Sequence, residues 1–310
     1  MTALLFLKKE ISHPVTYPLV AEMGQFDGRA VIITGSSNGI GRAVAVKFAK
    51  EGAMVTLCGR DEKTLNETKS MVLAVNGGDE KKVFLARGDI CQEEVMKEIV
   101  DGTVKAFARL DVLVNNAGGT NTSDWENPEL ECDLSNFDYT LNLNTKSVLR
   151  LCQLAFPYLA ESKGEIVNVS SIAGQPNGAS IPSPYYSTAK AAQDQLTRNL
   201  AIYYIKKGVR VNGVSPGIIS TNFIQRQGIS DEVMRKVERE IASSHARVPC
   251  GRAGTPDEVA EAILFLADRQ RSSYIVGHQL IIDGGSSLQM PLVTDGFKIF
   301  ADVMSTATKA

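Results

Sequence analysis

The chain has 310 residues, of which 44% are hydrophobic and 22% charged, and its formal net charge is -2. This composition is ordinary for a globular protein with a sizeable core. The near-neutral charge excludes a global field that would gather nucleic acid or an anionic membrane. The five cysteines form no CxxC pair and the three histidines lie far apart in sequence. We therefore expect no metal site, no disulfide scaffold and a reducing compartment.

The two ends of the chain differ from the rest. Residues 1–25 contain Pro14 and Pro18 without clear periodicity, and they are predicted to form an N-terminal extension. Residues 287–310 are predicted to be a C-terminal tail, in which 297–304 would form a short amphipathic helix or fray. No run of about 18 apolar residues occurs, so no membrane insertion is expected. A cytoplasmic location is predicted, with organellar import left open.

Residues 26–286 alternate short apolar strands with helices. Strands are predicted at 30–34, 54–58, 82–86, 111–115, 165–169, 209–214 and 279–282. Helices are predicted at 41–50, 62–75, 93–108, 134–159 and 186–206, in a charged run to Glu240, and from Thr255. This alternation indicates an α/β fold with a doubly wound parallel sheet covered on both faces, in a single domain.

The turn between the first strand and the first helix has the sequence TGSSNGIG, residues 34–41. Glycine permits unusual backbone angles and close approach of a ligand. The following helix offers unpaired N–H groups to a pyrophosphate. The spacing G-x-x-x-G-x-G differs from the common dinucleotide fingerprint. A dinucleotide site is predicted here, and a purely structural tight turn is the alternative.

The end of the second strand indicates which dinucleotide the site would bind. An NAD enzyme usually places an acid there for the ribose 2′-hydroxyl, whereas this strand ends in Cys58-Gly59-Arg60-Asp61. The planar guanidinium of Arg60 suits bidentate binding of a 2′-phosphate, and Asp61 could cap the next helix. NADP(H) is therefore favoured over NAD(H), unless Arg60 is a solvated loop charge.

Tyr186 and Lys190 are four residues apart and so share one face of a predicted helix. A neighbouring cation is expected to lower the phenol pKa. Ser170 and Ser171 follow the preceding strand, at the sheet edge where open α/β sheets bind ligands. A hydroxyl there could polarise a carbonyl oxygen, or simply form a turn.

Taken in order, these motifs resemble the short-chain dehydrogenase/reductase superfamily, particularly its tropinone-reductase-like and carbonyl-reductase-like members. The matching pieces are Thr34-Gly35…Gly39-Ile40-Gly41, Gly88-Asp89-Ile90, Asn115-Asn116-Ala117-Gly118, Asn142, Ser170-Ser171, Tyr186…Lys190, Pro216-Gly217 and Asp283-Gly284-Gly285. They span about residues 26–286.

The resemblance implies a single-domain Rossmann fold with a seven-stranded parallel sheet, and a homotetramer or homodimer. It implies Tyr186 as general acid/base, Lys190 as the group that lowers its pKa and holds the ribose, Ser171 on the substrate oxygen, and Asn142 in a proton relay. The implied cofactor-binding residues, besides Tyr186 and Lys190, are Gly35, Ser36, Ser37, Asn38, Gly39, Ile40, Gly41, Arg60, Asp89, Ile90, Asn116, Ala117, Gly118, Pro216, Gly217, Ile219 and Thr221.

The expected reaction moves a hydride between NADP(H) and a carbonyl or secondary alcohol. The interval from Ser171 to Tyr186 is longer than usual in the family, so Ser170 competes for the serine role. In the family that the motifs resemble, the stretch between Ile218 and Gly251 usually covers the small-molecule substrate, which the sequence does not name. Within it, Phe223 and Ile224 suggest an apolar cleft wall, with a packing role as the alternative. An NAD(H)-dependent alcohol dehydrogenase, a non-catalytic NADP(H)-binding sensor and a sugar-nucleotide epimerase or dehydratase are the alternatives.

Overall fold

The computed structural model describes residues 24–120, 129–131, 133–178, 183–221 and 231–289. Nearly all of the predicted N-terminal extension, the predicted tail helix, Phe223 and Ile224 lie outside these ranges. No helix within them is both long and apolar enough to cross a bilayer.

Seven parallel strands form one sheet in the order β3-β2-β1-β4-β5-β6-β7, which confirms the predicted fold class. The strands are β1 Ala30–Ile33, β2 Met54–Gly59, β3 Val83–Arg87, β4 Val112–Asn115, β5 Glu165–Val169, β6 Arg210–Pro216 and β7 Gln279–Ile282. The central strands are buried on both faces because they are almost wholly apolar, as parallel strands between two helix layers must be.

The helices cover both faces of this sheet. They are α1 Gly39–Lys50, α2 Glu62–Val75, α3 Glu93–Phe107, α4 Leu134–Leu141, α5 Ser147–Ser162, α6 Pro184–Tyr204, α7 Asp231–Ala242, α8 Pro256–Ala267 and α9 Arg269–Ser272. Val31 and Ile33 pack with α1, α2 and α8, whereas Ile32 packs with α3, α5 and α6. The alternation of strand side chains thus divides the core into two layers.

The predicted continuous helix 134–159 is interrupted. Between α4 and α5 the residues Asn142–Lys146 form a π-helical segment. Such segments are rare and frequently occur at functional sites.

Candidate active site

The turn from β1 into α1 opens onto the carboxyl edge of the sheet. Gly35 and Gly39 have φ angles of 66° and 54°, in the left-handed region that favours glycine. Asn38 is the N-cap residue of α1, and the first turn of this helix contains no acidic residue. The first N–H groups of α1 and its positive dipole end are therefore suited to an anionic ligand.

This turn is tied to the end of β4. The Thr34 hydroxyl accepts hydrogen bonds from the backbone N–H groups of Asn116 and Ala117, at 3.0 and 2.9 Å. The Asn116 side chain donates in return to the Thr34 carbonyl, at 2.9 Å. β1 and β4 are neighbours whose connections run in opposite directions along the sheet, which is where doubly wound folds bind ligands.

Two of the residues predicted to bind the cofactor, Ser36 and Gly41, also shape the turn. Ser36 is fully buried, and its hydroxyl accepts from the Cys58 N–H at 2.8 Å. A β-carbon on Gly41 would lie 2.3 Å from the Gly35 carbonyl oxygen, so α1 packs directly on the turn. Neither residue is among those that line the cleft.

A cleft of about 680 Å³ runs along this edge of the sheet. Its lining includes most of the predicted cofactor residues, namely Gly35, Ser37, Asn38, Gly39, Ile40, Arg60, Asp89, Ile90, Asn116, Ala117, Gly118, Tyr186, Lys190, Pro216, Gly217, Ile219 and Thr221. This volume lies within the range usual for small-molecule and cofactor sites. Within the described ranges, no group of acidic, histidine or cysteine side chains is arranged to hold a metal ion.

Arg60 and Asp61 lie together at one end of the cleft. The Asp61 carboxylate caps α2, as predicted, by accepting from the Thr64 N–H and hydroxyl, both at 2.8 Å. These bonds lower the pKa of Asp61. Arg60 is exposed, and in the described part of the chain its guanidinium has no ion-pair partner. The cation at this end is therefore available to a ligand, whereas the acid is committed to the helix cap.

Ser171 and Tyr186 meet at another part of the cleft, despite the long interval between them. The Ser171 hydroxyl forms a hydrogen bond with the Tyr186 phenol. It also accepts from the Ala173 N–H at 3.1 Å and so caps a short 3₁₀ turn, Ile172–Gly174. A β-carbon on Gly174 would lie 2.7 Å from the Lys190 carbonyl carbon. The loop after β5 is thus packed tightly against α6.

Ser170 points the other way. Its hydroxyl lies near the Lys190 carbonyl oxygen, at 3.4 Å, and hydrogen-bonds the Asp194 carboxylate. Ser171 has an extended backbone, and successive side chains of extended chain point to opposite sides. The structure therefore brings Ser171, rather than Ser170, to Tyr186.

Lys190 does not lower the pKa of Tyr186 in the predicted way. Its ammonium donates to the Val169 carbonyl and to Gln193 Oε1, both at 2.9 Å, and lies 5.6 Å from the centroid of the Tyr186 ring. Burial raises the pKa of Tyr186 to about 12, against the lowering effect of the Ser171 hydrogen bond. Burial also lowers the pKa of Lys190 to about 8. At neutral pH the phenol is neutral and the amine is mostly protonated.

The structure does not bring Asn142 to the cleft. Asn142 lines a separate hollow with Asp138, Tyr139, Leu141 and Lys146. Asn142 and Asn144, the next asparagine along the chain, therefore lie on different sides of the helix axis.

Asn144 lies against the cleft wall instead. It is fully buried, and its amide donates to the Gly119 and Thr140 carbonyls at 2.7 and 2.8 Å. A β-carbon on Gly118 would lie 2.8 Å from Asn144 Oδ1 and 3.2 Å from Lys190 Nζ. The asparagine beside Lys190 is therefore Asn144.

One wall of the cleft comes from α7, which lies in the stretch that the family resemblance predicted to cover the substrate. Val237, Glu238 and Ile241 of this helix line the cleft. Glu238 Oε2 accepts from the Ser220 hydroxyl at 2.9 Å, which ties α7 to the segment after β6. The signal for this role was the strongly amphipathic pattern of α7, whose apolar residues follow a helical period.

Comparison with known proteins identifies the family. The family model described as Enoyl-(Acyl carrier protein) reductase matches residues 35–287. The chain belongs to the short-chain dehydrogenase/reductase family. Glucose 1-dehydrogenase of Gluconobacter oxydans (strain 621H) is 38% identical over 269 residues, which cover 85% of this chain and 94% of that protein. The resemblance predicted from the motifs is thereby confirmed.

Two solved structures support the same assignment. A short-chain dehydrogenase/reductase of unknown function from Caenorhabditis elegans, crystallised with cofactor, is 44% identical with a TM-score of 0.83, over 86% of this chain and 97% of that one. The apo form of glucose dehydrogenase from the same organism is 46% identical with a TM-score of 0.70, over 85% and 99%. The chain is therefore an oxidoreductase of a family that uses nicotinamide cofactors.

Proposed function

We propose that this protein transfers a hydride between NADP(H) and a carbonyl or secondary alcohol. The observation that carries the proposal is one continuous cleft that joins three features. The glycine turn and the N-terminus of α1 line it, Arg60 lies at one end, and Ser171, Tyr186 and Lys190 lie together in it. These are the parts that a dinucleotide and a reacting carbonyl require.

The residues present fit such a cofactor. The turn from Gly35 to Gly39 would hold the pyrophosphate, because α1 presents its N–H groups there without a competing acid. Arg60 would bind the 2′-phosphate through its planar fork. Asp89 and Ile90 would contact the adenine; Asn116, Ala117 and Gly118 would line the middle of the cofactor, and Pro216, Gly217, Ile219 and Thr221 the nicotinamide. When bound, the cofactor supplies or accepts the hydride.

The side chains of the protein would carry out the proton transfer that accompanies the hydride transfer. With a pKa of about 12, Tyr186 is a neutral phenol at neutral pH and can give its proton to the substrate oxygen during reduction. Ser171 would donate a hydrogen bond to the same oxygen, and the Lys190 ammonium would hold the ribose. Alcohol oxidation needs the tyrosinate instead. Because the ionised fraction rises tenfold per pH unit below the pKa, oxidation is expected to accelerate with pH.

The substrate is proposed to lie between the Tyr186 hydroxyl and α7. Leu143, Ile218, Val237 and Ile241 give this region apolar walls, and Glu238 adds one carboxylate. Two similar proteins are named glucose dehydrogenases, so aldoses and their lactones are the first class to test. The experiment is NADP⁺ reduction with aldoses and secondary alcohols, and NADPH oxidation with ketones. Cofactor binding without turnover on either panel would favour the sensor alternative.

An NAD(H)-dependent dehydrogenase is the second candidate. Asp61 lines the same end of the cleft as Arg60, and an acid there could bind a free 2′-hydroxyl. The carboxylate would first have to leave the α2 cap. For this reason NADP(H) is the primary proposal.

Asn144 is proposed to take the relay role that the family resemblance implied for Asn142. Asn144→Ala is expected to lower kcat at least tenfold, because it removes the amide packed beside Gly118 and Lys190. Asn142→Ala is the matched control and should keep kcat within about twofold. Steady-state turnover and thermal unfolding of both variants provide the test. Equal losses of kcat in the two variants would contradict the reassignment.

A homodimer or homotetramer and a cytoplasmic location remain predictions. Ile202 and Tyr203 support the first, since these large side chains on α6 are 67% and 68% exposed. Light scattering at micromolar concentration would decide between monomer and oligomer.

A further inference from the structure

Three titratable side chains follow one another along α6. Tyr186, Lys190 and Asp194 are spaced four residues apart, so they lie on one face at successive helical turns. Tyr186 and Lys190 line the cleft, whereas Asp194 lies below them and outside its lining. Asp194 is only 3% exposed. A carboxylate is costly to bury, and it is normally paired or well hydrogen-bonded.

Polar side chains from two other elements hold the Asp194 carboxylate in place. Gln175, in the loop after β5, donates from Nε2 to Asp194 Oδ2 at 3.0 Å. The same amide lies 3.2 Å from the Ser215 hydroxyl of β6. Ser170 hydrogen-bonds the carboxylate from the end of β5 and lowers its pKa against the effect of burial. Burial raises the pKa of Asp194 overall, whereas Ser170 and the cations Lys190 and Arg198 lower it and so favour the ionised carboxylate.

Within the described residues, the Lys190 ammonium donates hydrogen bonds to two neutral acceptors, the Val169 carbonyl and Gln193 Oε1. Lys190 is 2% exposed, and burial disfavours its charged form. Asp194 raises the pKa of Lys190 against this effect, as an opposite charge does.

The other groups around the pair do not supply this negative charge. On α6 itself, Tyr186 is a neutral phenol, and Arg198 acts on Asp194 as a second cation. The described side chains that face the pair from β5, β6, the loop after β5 and the π-helical segment are uncharged: Ser170, Ser171, Gln175, Ser215 and Asn144. Asp194 is therefore the counter-charge of the Lys190 ammonium within the described ranges.

We propose that Asp194 is a positioning residue that keeps the Lys190 ammonium charged and fixed beneath Tyr186. Gln175 and Ser170 hold the carboxylate one helical turn below the amine, where it can act through charge without occupying the cleft. The proposal rests on the role of Lys190 in the proposed function, but the charge coupling itself is a property of the protein alone.

The test is an NMR titration of the lysine side chains, in which Lys190→Met assigns the Lys190 signal. Asp194→Asn should lower the Lys190 titration midpoint by about one pH unit or more, the shift expected from loss of an opposite charge at close range. Asp194→Glu should restore most of the shift. Asp138→Asn, which neutralises an exposed acid on α4, should leave the midpoint unchanged. An unchanged midpoint in Asp194→Asn would overturn the proposal.

A reciprocal measurement covers the case in which Asp194→Asn does not fold. The coupling between two charges is mutual, so Lys190→Met should raise the Asp194 pKa by a similar amount; an unchanged Asp194 pKa would overturn the proposal. Neither titration requires turnover, so both test the role of Asp194 even if the protein does not catalyse the proposed reaction. In active protein, the alkaline limb of the kcat/KM profile should move to lower pH together with the Lys190 midpoint.

Discussion

Tyr186→Phe is expected to lower kcat for carbonyl reduction by roughly a thousandfold, the usual order for loss of a positioned general acid. The substitution removes only the hydroxyl that hydrogen-bonds Ser171 and leaves the ring in place, with its centroid 5.6 Å from the Lys190 ammonium. Cofactor affinity should change by less than about threefold, because the phenol acts on the substrate oxygen. Single-turnover kinetics and a cofactor titration of the same variant measure the two effects separately.

Tyr185→Phe is the matched control for that experiment. Tyr185 is the neighbouring tyrosine, but it is buried against Phe137, with ring centroids 5.3 Å apart, and it does not line the cleft. It should keep kcat within a few-fold of the wild type. A Tyr186→Phe variant with nearly full kcat would remove the phenol from the mechanism.

Arg210→Met is expected to lower the free energy of unfolding by about 3–5 kcal/mol, the range found when one partner of a buried ion pair is removed. Arg210 and Glu165 begin adjacent strands at the sheet edge opposite the cleft, and each is 1% exposed. Arg210 Nε lies 2.9 Å from Glu165 Oε2, and the guanidinium also donates to the Ser272, Ile275 and Leu266 carbonyls. Methionine fills similar space but leaves these acceptors without their donor.

The stability measurement is denaturant unfolding at fixed protein concentration. Arg252→Met is its control, since it breaks an ion pair with Glu258 in which both side chains are about half exposed, 55% and 44%. Exposed pairs contribute little to stability, so the midpoint of this variant should barely move. Equal midpoints for Arg210→Met and the wild type would show that the buried pair is not a major source of stability.

The fold and the ends of the cleft could be predicted because their signals are local. The seven strands are short apolar runs, and the turn after β1 carries glycines where φ is positive. The spacing of Tyr186 and Lys190 places both side chains on one helical face. The Asp61 cap was also predictable, because an acid directly before a helix accepts from its first N–H groups.

It was harder to predict which of the two asparagines, Asn142 or Asn144, lies beside the cleft, because this depends on where each side chain points around the helix axis. Asn144 lies in register with the buried residues Val148, Leu151, Ala155 and Leu159, and this apolar stripe was a signal for its orientation. The π-helical segment, however, is not evident from composition.

Long-range partners could not be predicted at all. The link from Gln175 to Asp194 joins a loop to a helix through tertiary packing. The pKa of Tyr186 was mispredicted for the same reason. Charge spacing on a helix indicates a nearby cation, but the depth of burial, which decides the shift, is set by the whole fold.

The most direct test of the account is a fluorescence titration of the wild type, Arg60→Ala and Arg87→Ala with NADPH and NADH. Arg87 is the matched control, because it is paired with Glu62 at 2.7 Å and does not line the cleft. The wild type and Arg87→Ala should bind NADPH at least about tenfold more tightly than NADH, which is the scale of charge-assisted hydrogen bonds to a phosphate. Arg60→Ala should lose this preference. Equal or tighter binding of NADH by the wild type would contradict NADP(H) dependence and assign the 2′-hydroxyl to Asp61.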